Sequence, residues 1–282
     1  MNPILKYSGG KTKEIKLFKK YIPKFDTYIE PFFGGGAVYF YLEPEKAIIN
    51  DINYRLIEFY VDLVKEYAKT RKELDFLEKE YKVNRTAFEE KKMQYPDEKV
   101  PDANEHIYYE IRDMFNKKID PQYTYAAIYY YINKTAYSGM IRYNKAGEYN
   151  VPYGRYKNFN THLLTDNHYN LLKTAKIMNT DYVKAFKLAK PNDFIFLDPP
   201  YDTTFSEYGN EVFTGDFGED EHRRLAEDFK NLSCKVMMII GETELTDELY
   251  SSYIKDKYLK KYSVNIRNRF KSSASHLIIT NY

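Results

Sequence analysis

The chain has 282 residues, 43% of them hydrophobic and 30% charged, which suits one substantial domain or a core domain carrying an insertion and argues against a disordered polymer. Its longest apolar stretches, Ala126 to Ile132 and Val236 to Ile240, fall short of the roughly 20 residues of a membrane helix. The lone cysteine, Cys234, excludes an intrachain disulfide framework and any Cys-based zinc site. A net charge of +2 hides an uneven distribution. Lys117 to Lys157 carries seven Lys/Arg against two Asp/Glu, Ile254 to Tyr282 seven against one, and Asp202 to Glu248 four against thirteen. Basic stretches of this kind face phosphates or plain solvent, and charge alone does not choose between them. With no apolar h-region in Met1 to Lys11, a cytoplasmic protein is expected.

In chain order, Lys6-Tyr7-Ser8-Gly9-Gly10-Lys11 places a Gly-Gly turn between two lysines at the start of a helix, where free amides suit an anionic group such as a carboxylate. Its spacing is not that of a Walker loop. A helical pattern through Ile15, Leu17, Phe18 and Tyr21 precedes strand-like Tyr28 to Phe33 and Ala47 to Asn50, a βαβ rhythm. Between those strands, Glu30-Pro31-Phe32-Phe33-Gly34-Gly35-Gly36-Ala37 opens a helix, and its glycines let the backbone pass close to a ligand. Asp51, 17 residues after Gly34, stands where an acid can accept hydrogen bonds from ribose hydroxyls. A plain strand-to-helix turn remains the alternative.

From Tyr54 to Asp113 the pattern is helical and charged, with an apolar stripe at Leu56, Phe59, Tyr60, Leu63 and Val64 and breaks at Pro96 and Pro101. This predicts an inserted helical unit. Tyr123 to Lys134 continues as an aromatic helix, and Tyr143 to Tyr156, with Asn144, Gly147, Pro152 and Gly154, has hairpin or loop composition. Strands return at Ala175 to Thr180, Asp193 to Leu197, Lys235 to Ile240 and His276 to Thr280, with a helix from about Glu219 to Leu232.

The most informative segment is Asp193-Phe194-Ile195-Phe196-Leu197-Asp198-Pro199-Pro200-Tyr201. Two prolines remove two amide donors and stiffen the turn, leaving carbonyl acceptors and the Asp198 carboxylate at the carboxyl end of a strand, where open α/β sheets bind ligands. A nucleobase amine is a poor nucleophile because its lone pair is delocalised into the ring. Acceptors for both N–H groups, Asp198 and the Pro199 carbonyl, favour the pyramidal amine, and Tyr201 offers a π-face to the base.

With these residues in place, the chain resembles a Dam-type DNA adenine-N6 methyltransferase. The resemblance rests on KYSGGK at Lys6 to Lys11, EPFFGGGAVYF at Glu30 to Phe40, NDIN at Asn50 to Asn53, the block from Tyr131 to Lys157, LDPPY at Leu197 to Tyr201 and HLIITN at His276 to Asn281. It implies an α/β fold, with a doubly wound, mostly parallel Rossmann-like sheet formed by residues 1–53 and 161–282. An antiparallel final hairpin lies near Tyr258 to Thr280, and the inserted recognition unit is 54–160, with a DNA-reading hairpin at about 137–157. It implies S-adenosylmethionine as cofactor, leaving as S-adenosylhomocysteine. Tyr7, Ser8, Gly9, Gly10, Lys11 and the loop Pro31, Phe32, Phe33, Gly34, Gly35 and Gly36 would hold its methionine end, Asp51 its ribose, and Asp181 and Tyr182 its adenine. For Asp181 a helix N-cap is the alternative.

Asp198, Pro199, Pro200 and Tyr201 would be catalytic, on an adenine flipped out of double-stranded DNA. Arg142 would read a guanine edge through its guanidinium fork, Tyr137 would fill the space left by the base, and Lys134 would lie near phosphate. Ser138, Met140, Asn144, Pro152, Tyr156 and Lys6 complete the expected DNA face. GATC is the favoured target, although GATC readers of the family carry Asn and Leu where this chain has Ser138 and Met140. Double-stranded DNA is the expected partner, with a cognate restriction enzyme in restriction-modification members. No metal and no membrane are expected, and the oligomeric state is open. Cys234 in KNLSCKVMMII begins a buried strand, unlike the thiolate of a cytosine-C5 enzyme. Cytosine-N4 transfer, glutamine methylation and a catalytically silent DNA-binding protein stand as alternatives.

Overall fold

The computed structural model describes residues 1–139, 141–201, 217–261 and 273–282. Helix α1 (Ile15–Phe18) runs into a 3-10 turn (Lys19–Tyr21), followed by β1 (Tyr28–Glu30), α2 (Ala37–Leu42) and β2 (Ala47–Asn50). Five helices come next: α3 (Tyr54–Lys65), α4 (Tyr67–Gln94), α5 (Ala103–Phe115), α6 (Tyr125–Thr135) and α7 (Asp166–Thr174). The chain returns to the sheet through β3 (Ala175–Met178), α8 (Tyr182–Phe186) and β4 (Phe194–Leu197), then α9 (Glu219–Lys230), β5 (Lys235–Gly241), α10 (Glu244–Tyr250), β6 (Ile254–Lys261) and β7 (Ser273–Thr280).

The strands form one seven-stranded sheet in the order β3-β2-β1-β4-β5-β7-β6. The first five are parallel, and β7 is antiparallel to both β5 and β6. This is the mixed α/β architecture the sequence led us to expect, including the final hairpin. Whereas the edge strand β3 carries exposed Lys176, the central strands β1, β4 and β5 are apolar and buried through their middles because both faces are covered. Their two-residue period divides the core: Tyr28, Phe194, Phe196, Met237 and Ile239 face one layer, and Ile29, Ile195, Leu197, Met238 and Ile240 the other. Strand order reverses between β1 and β4, so their carboxyl ends open onto a topological switch point.

The first layer continues without a break into the helices, where Leu56, Tyr60, Leu74, Tyr108 and Tyr131 belong to the same buried cluster. Asn53 caps α3 by accepting from the Leu56 amide, and that helix buries Leu56, Ile57, Phe59, Tyr60 and Leu63. Helix α4 buries only Thr70, Leu74, Leu77 and Tyr81, one narrow stripe at helical spacing, with its charges in solvent. It stops at Gln94, just before Pro96. The expected hairpin is looser than its composition suggested. Its bridges Ala136↔Tyr153 and Tyr143↔Tyr149 are isolated. Helices α7 and α10 were not anticipated; each begins at a threonine capping box, Thr165 with His168 and Thr243 with Thr246. Among the described residues no helix is long and apolar enough to cross a membrane.

Candidate active site

The glycine loop after β1 is built by side chains from β2 and its extension. The Asn50 amide donates to the Pro31 and Thr180 carbonyls, and Asp51 accepts from the Gly34 amide at 2.8 Å and the Asn53 amide at 2.9 Å. Gly34 and Gly36 adopt φ of +49° and +65°, a region that favours glycine. Space adds to this requirement. A Cβ at Gly34 would lie 2.8 Å from the Tyr7 ring, and one at Gly36 would lie 2.5 Å from the Phe33 ring.

The segment carrying Tyr7 to Lys11 is strapped down from the other side. Asn133, near the end of α6, accepts from the Lys6 amide and donates to the Lys6 carbonyl, both at 2.8 Å. Beyond the turn at Gly9 and Gly10, Lys11 is 2% exposed and its Nζ lies 2.6 Å from each oxygen of Asp198 and 2.9 Å from the Gly9 carbonyl. Asp198 leaves the carboxyl end of β4 with its side chain 22% exposed, so a ligand can reach it. Tyr201 stands half-buried beside it, with Lys11 Nζ 5.2 Å from its ring centroid and the His276 ring edge-on at 5.1 Å.

Three carboxyl groups therefore converge where β1, β2 and β4 end: Glu30, Asp51 and Asp198. Burial raises the pKa of Glu30 most; Tyr28, which donates to it, opposes that rise, and the charges of Asp198 and Asp51 reinforce it. Burial likewise raises Asp51 against the pull of the Asn53 and Gly34 amides. Burial raises Asp198 too, and the Lys11 ammonium pulls it back down. Lys11 is in direct contact with Asp198, and the carboxyl oxygens offer acceptors that suit a ligand carrying positive charge.

Behind Tyr201 lies a second polar cluster. Glu14 accepts from the Tyr258 hydroxyl at 2.6 Å and faces Lys260 Nζ at 2.8 Å and His276 Nδ1 at 3.1 Å. Burial works to raise its carboxyl, but the bonds to His276, Lys260 and Tyr258 outweigh burial and bring it from 4.5 to about 2. A depressed carboxyl contributes stability above its unfolded value and loses it as pH falls through the folded one. Glu14→Gln should therefore cost about 3 kcal/mol at neutral pH, a deficit that shrinks from pH 5 towards 2. Urea melts at stepped pH test this, and a deficit constant with pH would refute it.

On the expected DNA side, Tyr137 is 56% exposed, Ser138 has φ +55°, and Pro152 is exposed while its carbonyl accepts from the Tyr137 amide. Lys6 Nζ lies 4.3 Å over the Tyr156 ring. Arg142 Nε donates to Asn150 Oδ1 at 2.8 Å. Three placements differ from expectation. Lys134 is 8% exposed and donates to the Ile4 carbonyl, with burial and the neighbouring Lys6 lowering its ammonium to about 8; it is a core lysine rather than a surface cation. Asn144 holds the hairpin turn, accepting from the Ala146 and Glu148 amides. Asp181 caps α8 through the Val183 amide and pairs with Arg224, the arrangement anticipated as its alternative. Tyr182 is buried against Phe32, its hydroxyl donating to Asp228. Met140 lies outside the described residues. Cys234 is 3% exposed and burial pushes its thiol up to about 11, so it serves as core.

The structure thus brings Tyr7 to Lys11, Pro31 to Gly36, Asp51 and Asp198 to Tyr201 to one end of the sheet, and the hairpin meets this group at Lys6, whose side chain lies against Gly139 and the Tyr156 ring. Sequence reasoning missed the roles of Glu30, Glu14, Asn133 and His276. An acid ending a fully buried strand was the available signal for Glu30; the other three make contacts only in the fold.

Comparison with known proteins bears on what this arrangement does. The family model described as D12 class N6 adenine-specific DNA methyltransferase matches residues 7–265. Type II methyltransferase M.CviBI of Paramecium bursaria Chlorella virus NC1A is 36% identical over 290 aligned residues that take in the whole of both chains. Type II methyltransferase M.MjaIII of Methanocaldococcus jannaschii is 33% identical, over all of this chain and 99% of that one. The DNA adenine methylase of Salmonella typhi is 29% identical over 87% of this chain and 83% of its own.

Proposed function

Because the chain belongs to the D12 class of N6 adenine-specific DNA methyltransferases, we propose that it methylates an adenine flipped out of duplex DNA, with S-adenosylmethionine as donor and GATC as the favoured site. The observation that carries this reading is the Asp198 carboxylate, reachable at the end of β4 between Lys11 and Tyr201. The pocket chemistry fits the donor: a glycine loop packed directly on Tyr7 and Phe33, and carboxyl groups suited to a sulfonium and an ammonium. When bound, S-adenosylmethionine supplies an electrophilic methyl group and leaves as S-adenosylhomocysteine.

The chain's own residues do the rest. Gly9, Gly10 and Gly34 to Gly36 give backbone access to the donor's methionine end, and Asp51 fixes that loop while lying in reach of the ribose. Asp198 and the Pro199 carbonyl accept the two N–H groups of adenine N6, which keeps its lone pair out of the ring and available for attack. Pro200 stiffens the turn, and Tyr201 stacks on the base, offsetting the few kcal/mol (roughly) that flipping costs. Asp181 and Tyr182 would border the donor's adenine. On the duplex, Arg142 reads a guanine edge, Tyr137 fills the gap left by the base, and Lys6, Ser138, Met140, Pro152 and Tyr156 line the groove. Residues 54–160 act as the recognition unit on the catalytic part, 1–53 and 161–282. We place the enzyme in the cytoplasm, with a cognate restriction enzyme as its companion in a restriction-modification setting.

The test uses labelled S-adenosylmethionine and unmethylated duplexes with and without GATC. Label is expected as N6-methyladenine on the GATC duplex alone. Label on both duplexes would discard GATC, label on cytosine N4 would replace the substrate, and no label despite binding of both ligands would leave a silent DNA-binding protein.

A further inference from the structure

Of the charged helices α3 to α5, α3 touches the glycine loop through the Tyr60 hydroxyl, and several of their other polar side chains end on one stretch of the hairpin backbone. Asn116, just after α5, donates from Nδ2 to the Tyr149 carbonyl at 2.9 Å and accepts from the Tyr149 amide at 2.8 Å. It pairs with Tyr149 as a neighbouring strand would. The Arg55 guanidinium lies 4.9 Å from the centroids of both Phe115 and Tyr143 and donates to the Gly147 carbonyl at 3.0 Å. The Tyr108 hydroxyl donates to the Val151 carbonyl at 2.8 Å.

These bonds fall on residues 147, 149 and 151, from the end of the turn at Gly147 into the arm that follows, and they occupy the three carbonyls and the Tyr149 amide. Within the hairpin the arm is held by its isolated bridges and by backbone bonds such as Asn150 N–H to the Arg142 carbonyl at 3.1 Å, and the helices hold its other side. The intervening residue, Asn150, is the one that aims Arg142: its side-chain oxygen accepts from Arg142 Nε at 2.8 Å and its carbonyl from Nη2 at 3.3 Å. Fixing Tyr149 fixes Asn150, and Asn150 fixes the guanidinium.

We infer that Asn116, assisted by Arg55, is a positioning residue for sequence discrimination: it clamps the Tyr149 backbone and so orients the Arg142 fork, without touching DNA. The inference rests on the reading that the hairpin reads DNA. A bidentate contact to the correct base discriminates only while its two N–H vectors stay aligned, so loosening the arm should cost selectivity more than turnover.

The experiment lets the purified enzyme methylate an unmethylated plasmid and reads every N6-methyladenine base by base, so the target motif need not be assumed. Wild type, Asn116→Ala, Asn116→Asp, Arg55→Lys and Arg142→Ala are compared, with S-adenosylmethionine affinity measured in parallel. Asp keeps the acceptor for the Tyr149 amide and loses the donor, and Lys keeps the charge of Arg55 but not its planar fork; these variants serve if Asn116→Ala does not fold. Discrimination between the motif and sites one base pair away should fall about tenfold in Asn116→Ala, less in Asn116→Asp and Arg55→Lys, with donor affinity unchanged. Wild-type discrimination in the Asn116 and Arg55 variants, beside its loss in Arg142→Ala, would overturn the inference and leave the hairpin reading standing. Wild-type discrimination in Arg142→Ala would overturn both.

Discussion

Replacing Asp198 by alanine is expected to lower single-turnover methyl transfer by about 10³-fold, as losing a preorganised electrostatic partner does, while S-adenosylmethionine and DNA still bind. The carboxylate sits where β4 releases the chain, and it is the one acid of the three that a base can reach, because Glu30 and Asp51 are 3% and 8% exposed. Asp198→Asn separates the two contributions of the side chain. The amide keeps an acceptor oxygen and loses the charge, so its rate should fall between those of wild type and alanine. Retention of transfer within about tenfold of wild type in Asp198→Ala would remove this residue from the chemistry.

Lys11→Met is expected to have the second largest effect, on stability and on the pH profile together. The ammonium is 2% exposed and reaches both oxygens of Asp198, so its removal leaves a largely buried carboxylate without its counter-ion, at a cost of about 3 kcal/mol near neutral pH. Burial raises Asp198 and Lys11 opposes that rise, so the variant's carboxyl must titrate higher. An acid whose folded pKa lies above its unfolded value loses folding stability as pH rises between the two. The deficit should therefore be larger at pH 8 than at pH 5, by urea denaturation. Accepting the amine requires the ionised form, so the acid limb of the rate profile should move to higher pH. An unmoved limb would mean that Lys11 does not tune Asp198.

Much of this site was legible because the strands are short, apolar and period-two. The strand Ala47–Asn50 lies where its residues indicated, and Asp198 follows a strand that is fully buried over Phe194–Leu197. Glycines spaced as in Gly34 and Gly36 announce a loop that cannot tolerate side chains, and the structure supplies the reason in the Tyr7 and Phe33 rings. What escaped was long-range. Lys134 reads as an exposed cation in a basic run, and only the fold brings Ile4 to its ammonium. Asn116 drew no reading from the sequence, and its bond to Tyr149 spans 33 residues of chain. The hairpin composition was readable, but the bonds that Arg55, Tyr108 and Asn116 add to its own backbone pairing were not, since they come from helices elsewhere.

Strands β2 and β3 are parallel neighbours in register from Ala47↔Ala175 to Asn50↔Met178. A parallel pair needs a crossover, which one helix usually provides. Here everything from α3 to α7 occupies that place, so the recognition unit proposed at 54–160 lies inside one enlarged link between two adjacent strands. Exchange of that link between relatives would change what is read without cutting the strands that carry Glu30 and Asp198. The graft has a definable boundary condition: it must bring Leu56, Tyr60 and Asn133, because the link shares its core with the sheet and holds the main chain of Lys6.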